Sequence, residues 1–162
     1  MRNSELIVGL TFAALLTPAA PAEEQTDQTP EKLIEQWAAA YNKNDPALLL
    51  AFYEQSEDVD VIISAGIRHH GFKAVRNAYT DDFKAVRFHD SKAINLSSRI
   101  IDNTALVTFE HQFKSRVVED NSRWRIHVRP TSVLKRVKGT WKIVLEHSSP
   151  IRGTERVVPI EE

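Results

Sequence analysis

Residues 129–149 read RPTSVLKRVKGTWKIVLEHSS. Lys138-Gly139 is a turn pair between two runs of branched and aromatic residues, 123–137 and 140–147, and each run has the period of two that belongs to a β-strand. In the first run Arg123, Arg125, His127, Arg129, Thr131 and Val133 share a face against Trp124, Ile126, Val128 and Pro130. In the second, Trp141, Ile143, Leu145 and His147 oppose Lys142, Val144 and Glu146. Two further strand-like runs precede this pair, about 88–99 and 105–118, bounded by Asp102-Asn103 and by Glu119-Asp120-Asn121. In the 105–118 run Ala105, Val107, Phe109, His111 and Phe113 lie opposite Leu106, Thr108, Glu110 and Gln112. Apolar residues occur on both faces of much of this sheet. One face is therefore expected under helices and the other against a second copy of the chain.

The first half of the body has helical period. Thr29-Pro30 has the form of an N-cap followed by a first-turn proline, and Leu33, Ile34, Trp37, Ala38 and Tyr41 then recur on one face. Asn42-Lys43-Asn44 stops that helix. Asp45-Pro46 repeats the start signal for a short second helix through Tyr53. Val59–Ser64 and Ile67–His70 read as a strand and its return around Gly66, and a third helix from Gly71 carries Phe72, Val75, Tyr79, Phe83 and Val86. Helices first and long strands afterwards predict an α+β domain: three helices packed on a strongly curved, mostly antiparallel sheet.

The 162-residue chain is 42% hydrophobic and 27% charged, which suits one soluble domain. With 21 basic and 22 acidic side chains it has no overall attraction for nucleic acid or an anionic bilayer. A local basic stretch, Arg123, Arg125, Arg129, Lys135, Arg136 and Lys138, reads as an interface stripe. There is no cysteine, which excludes disulfides, thiolate metal sites and cysteine nucleophiles. Arg2, the apolar run Leu6–Leu16 and the Ala20-Pro21-Ala22 site have the form of a cleavable export signal. The expected organisation is a signal peptide over 1–22, a linker over 23–29, the domain over 30–150 and a tail over 151–162. The mature protein is expected in the periplasm or secreted, with no stable membrane span.

Arg129–Ser149 resembles the last hairpin of the SnoaL-like branch of the NTF2-like superfamily, with its Arg-to-Arg strand, turn Gly, Trp and terminal Glu-His-x-Ser. Leu33–Val59 resembles the family's first two helices, and Gly71–Phe83 its third. The last hairpin is also similar to the association domain of calcium/calmodulin-dependent kinase II. These resemblances imply an NTF2-like cone with an open cavity and dimers formed through the sheet. Members include steroid isomerases, polyketide cyclases, dehydratases, hydrolases and non-catalytic binding or assembly domains, so the fold alone does not name a reaction.

The expected function is binding of a small organic ligand in an apolar cavity, with acid-base catalysis or pure assembly as alternatives. Arg129 is the first ligand-binding candidate, because a guanidinium fork in an apolar wall would hold an anionic group if its face points inward. His147 follows Trp141, Ile143 and Leu145 on one face and is the candidate proton carrier. His111 lies between Phe109 and Phe113, and Trp37, Tyr41 and Tyr53 are the aromatics that the first two helices bring towards the cavity. A steroid-isomerase pattern needs an inward acid beside a phenol. By simple alternation Glu110 and Glu146 both point away from the chosen faces. No metal-ligand spacing is present among the six histidines, and no cofactor is expected.

Overall fold

The computed structural model describes residues 28–151 and 157–160. The expected signal peptide, 1–22, and residues 23–27 of the expected linker lie outside them. The first helix, α1 (Pro30–Tyr41), begins where the cap signal places it, and Thr29 Oγ1 accepts the Lys32 amide at 3.2 Å. The second, α2 (Pro46–Leu50), is capped by Asp45, whose carboxylate accepts the Ala47 amide at 2.9 Å. It ends before the expected Tyr53 because the chain exchanges helix bonds for strand bonds. The Ile143 amide donates to the Phe52 carbonyl and the Glu54 amide to the Ile143 carbonyl, both at 2.9 Å.

Then follow β1 (Asp60–Ile62), β2 (Arg68–His70), α3 (Phe72–Ala85), β3 (Val86–Ile101), β4 (Thr104–Val117), β5 (Arg123–Val137), β6 (Thr140–Pro150) and β7 (Val157–Pro159). The sheet order is β2-β1-β6-β5-β4-β3, with β7 pairing β5 at Trp124–Ile126. Only the β1–β6 pairing is parallel among these ladders. The tail thus contributes a short strand that its sequence did not announce. Among the described residues no helix is long and apolar enough to cross a membrane.

Curvature has a local cause. The β3–β4 register slips between His89 and Lys92 and again between Ile94 and Ser97. Asp90 and Asn95, at φ of 54° and 55°, adopt the left-handed conformation at these slips. Each slip is a bulge that bends and twists the strand, so β3 wraps over α1. The inner face of the sheet carries Ala105, Val107, Phe109, Leu134, Trp141 and Ile143, all buried against Leu33, Ile34 and Trp37 of α1 and Val75, Tyr79 and Phe83 of α3. Full burial of each large side chain contributes roughly 1.5–3 kcal/mol.

The polar stop after α1 is itself a structural clamp. Asn42 accepts the Ser91 amide at 2.8 Å and donates to the Ser91 carbonyl at 2.9 Å. Asn44 does the same for Phe88, at 2.7 and 3.0 Å. These two side-chain amides pin the helix end to the first bulge of β3. Asn42→Ala should therefore lower the unfolding free energy by about 1–3 kcal/mol, read from urea denaturation. An unchanged midpoint would show that the clamp contributes nothing.

Candidate functional site

The polar centre of the interior was created by a third bulge. Val133 pairs with Leu145 but its neighbour Leu134 pairs with Ile143, so Val144 is an extra residue on β6. Trp141 and Ile143 face inward as the alternation requires, and one surplus residue then reverses every later side chain. Glu146 turns into the core, 4% exposed, and His147 turns out. The expectation that His147 shares the inner face with Trp141 is corrected by this bulge, and so is the placing of Glu146 outside.

Four elements converge on Glu146. The paired segment after α2 delivers Tyr53, whose hydroxyl donates to Glu146 Oε2 at 2.5 Å. The indole of Trp37, on α1, donates to the same Tyr53 oxygen at 2.9 Å. Tyr79, on α3, has its hydroxyl 2.8 Å from that of Tyr53. Tyr53 has one proton and gives it to the carboxylate, so Tyr79 must be the donor between the two. Tyr41 lies behind, 3.5 Å from the Tyr79 hydroxyl. The donors therefore form a directed chain that ends on Glu146. Directly across the ladder from Glu146 is Ser132, 1% exposed, whose hydroxyl has no hydrogen-bond partner among the described residues.

Burial pushes the Glu146 carboxyl from an ordinary value near 4.5 up to about 7, although the phenols of Tyr53 and Tyr79 favour its charged form. Burial and the Glu146 charge together hold the Tyr53 and Tyr79 hydroxyls well above the usual range, so both remain donors. Around neutrality the carboxyl populates both protonation states, and it can give or take a proton without leaving the core.

His111 is also inside, packed at tilted ring angles among Trp37, Tyr41 and Phe113. Ser91 Oγ donates to the Ala38 carbonyl at 2.7 Å, so the 2.8 Å contact with His111 Nε2 is donated by the imidazole. Burial lowers His111 to about 3. It is a neutral, satisfied core residue. The structure thus brings Trp37, Tyr41, Tyr53 and His111 together in the interior and leaves two candidates outside. Arg129 is on the outer face with its side chain 54% exposed, 3.3 Å from Glu110, which also holds His127 at 2.8 Å. Tyr79 was legible only as a core position of α3, and Glu146 and Ser132 gave no signal, because the strand pattern does not reveal a bulge.

Glu146 has a measurable signature. The folded carboxyl keeps its proton up to about pH 7, whereas the unfolded one releases it near 4.5. Its contribution is therefore most favourable at low pH and is lost as pH rises through that window, by on the order of 3 kcal/mol in total. His111 opposes it, because the unfolded imidazole takes up a proton below about 6.5 that the buried one refuses. His111 is common to both proteins, so relative to Glu146→Gln the wild-type protein should lose stability steadily as pH rises from about 4.5 to about 7. A gap that does not change with pH would show that Glu146 titrates normally.

A family model described as a SnoaL-like domain matches residues 31–153. An NTF2-like superfamily protein from Salmonella enterica superposes with a TM-score of 0.63 at 20% identity, over 76% of this chain and 90% of that one. A putative calcium/calmodulin-dependent protein kinase type II association domain from Thiobacillus denitrificans gives 0.60 at 21%, over 76% and 96%. A putative dehydratase of the NTF2-like family from Streptomyces avermitilis gives 0.63 at 17%, over 72% and 90%. No curated protein matches the chain. At these identities the solved structures establish the NTF2-like cone fold, and the match over most of the sequence establishes the lineage: the chain belongs to the SnoaL-like domain family.

Proposed function

We propose that the domain binds a small organic molecule in the interior of the cone and recognises an oxygen atom of that ligand with Tyr79, Tyr53 and the protonated carboxyl of Glu146. The observation that carries this reading is the Glu146 cluster: a buried acid poised near neutrality, a phenol donor on it, a second phenol donating to the first, and a serine hydroxyl across the ladder with no partner among the described residues. A phenol and a neutral carboxylic acid are the donor pair that holds a carbonyl or enolate oxygen in a dry site. Leaving a buried hydroxyl unpaired costs about 1–3 kcal/mol, which a polar ligand atom beside Ser132 would recover. The interior aromatics around Tyr41 must move apart to admit the ligand. Arg129, on the outer face, takes no part in this reading.

A second reading is an acid-base enzyme of isomerase or dehydratase type. The same carboxyl favours it, because a group near 7 serves as both acid and base, and the Streptomyces relative is described as a putative dehydratase. Substituted phenols test the first reading and an exchangeable ketone the second. The wild-type protein should bind phenols, with Tyr53→Phe weakening them about tenfold and Glu146→Gln abolishing the change in affinity on crossing pH 7. Failure of every probe, or equal binding by all three proteins, would sink the interior site. Deuterium uptake at the α-carbon of a bound cyclic ketone, lost in Glu146→Gln, would promote the enzyme reading over simple binding.

We also propose that the working form is an exported homodimer. Export rests on Arg2, Leu6–Leu16 and Ala20-Pro21-Ala22. Pairing rests on the outer rung Leu106–Val133–Leu145, apolar and partly solvent-facing, beside Thr108 and Thr131. Light scattering of the mature protein should give twice the subunit mass, and Leu106→Arg should give the single mass. A monomeric wild-type protein would remove the second copy from the proposal.

A further inference from the structure

The outer face of the sheet has a second half, and its chemistry is unlike that of the apolar rung. Across β3, β4 and β5 the register aligns Arg87 with Arg116 and Arg123, then His89 with Lys114 and Arg125, then Lys92 with Gln112 and His127. Phe88, Phe113 and Ile126 alternate between these rungs on the opposite, inner face, where Phe88 and Phe113 pack on Tyr41. The cationic groups therefore project together. Two consecutive pairs, Arg116 with Arg123 and Lys114 with Arg125, place like charges directly opposite each other, where Cβ atoms are about 5 Å apart and repulsion lowers stability. A chain with 22 acidic side chains and a net charge of −1 has carboxylates enough to avoid this arrangement.

The charges also surround a space. An open hollow of about 850 Å³ is lined by Lys92, Lys114, Arg125, His127, Gln112 and Asp90, together with Ser91, Phe113 and Ile126. A smaller hollow of about 370 Å³ shares Lys114 and reaches Arg116 and Arg123. Asp90 neutralises Lys114 at 2.7 Å, and Glu110 engages His127 at 2.8 Å. Arg125 and Lys92 have no ion-pair partner among the described residues. The larger hollow is within the size range of small-molecule sites. Its uncommitted donors are a guanidinium and an ammonium, which suit phosphate or carboxylate oxygens.

We propose that this hollow binds a small organic polyanion carrying two or more phosphate or carboxylate groups, held by Arg125, Lys92 and Lys114. The site is separate from the Glu146 cluster, lies on the other face of the sheet, and stands or falls independently of it. Its ligand supplies the counter-charge that Arg125 and Lys92 lack among the described residues, and binding is strongest at low ionic strength.

Calorimetric titration of the full-length protein tests the proposal, with tripolyphosphate and citrate as probes and acetate as the single-charge control. Both polyanions should bind saturably and at least about tenfold more tightly than acetate, and Arg125→Glu and Lys92→Gln should each weaken them about tenfold or more. Without any probe, Arg125→Glu places opposite charges across the ladder and should raise the melting temperature by about 1–4 °C. Higher stability with lost binding is a combination that a merely structural arginine would not produce. Equal affinity in the variants, no preference over acetate, or a lower melting temperature in Arg125→Glu would overturn the proposal. So would binding confined to phosphatidylglycerol vesicles or a single-stranded oligonucleotide, because the surface would then serve a membrane or a nucleic acid.

Discussion

The Tyr53–Glu146 hydrogen bond ties the two layers of the domain together. It joins the segment after α2 to the last long strand, at 2.5 Å and out of contact with water. Its existence depends on two departures from regular structure: the early end of α2, which lets residues 52–54 pair beside Ile143, and the surplus Val144, which turns Glu146 inward. A carboxyl in such a place costs several kcal/mol of desolvation, which its phenol donors only partly offset. Replacing the carboxyl together with its phenol donors by apolar residues of the same shape can be neutral or stabilising. The retention of an acid, with a serine and two tyrosines around it, is understandable if the cluster is used.

The sheet separates two kinds of chemistry by the alternation of its strands alone. Inward positions of β4 and β5, from Ala105 to Ser115 and from Trp124 to Leu134, supply aromatic packing and neutral hydrogen bonds. Outward positions are apolar near Leu106 and Val133 and cationic near Lys114 and Arg125, with the His127–Glu110–Arg129 cluster between these regions. Because the two faces are offset by one residue, a strand can serve both without compromise, and a single bulge is enough to move a group from one to the other.

Most of the architecture was legible in the sequence because it depends on short-range signals. Thr29-Pro30 and Asp45-Pro46 start the helices where the structure has them, and the turn pair Lys138-Gly139 separates β5 from β6. Period-two alternation identified the common face of Ala105, Val107, Phe109 and His111. The site was much less legible. Val144 is an ordinary strand residue, and nothing in its neighbours says that β5 will skip it, since a bulge is decided by how two distant strands fit. Counting by twos past that point put His147 inside and Glu146 outside. The direction of the Arg129 face was equally undetermined, because alternation divides a strand into two sets without saying which one meets the helices. Likewise β7 is three residues whose strand character comes entirely from the edge of β5 that it finds.

The paired amides of Asn42 and Asn44 have a consequence for how this molecule meets its copies. β3 is the terminal strand of the sheet, sixteen residues long, and a bare strand of that length is a template for unlimited lateral growth. At Phe88 and Ser91 the backbone groups that a foreign strand would need are already occupied by side chains that imitate one. The kinks at Asp90 and Asn95 break what remains into lengths too irregular to be copied. Between Phe88 and Asn95 this margin is therefore a poor template for edge-to-edge addition of another strand.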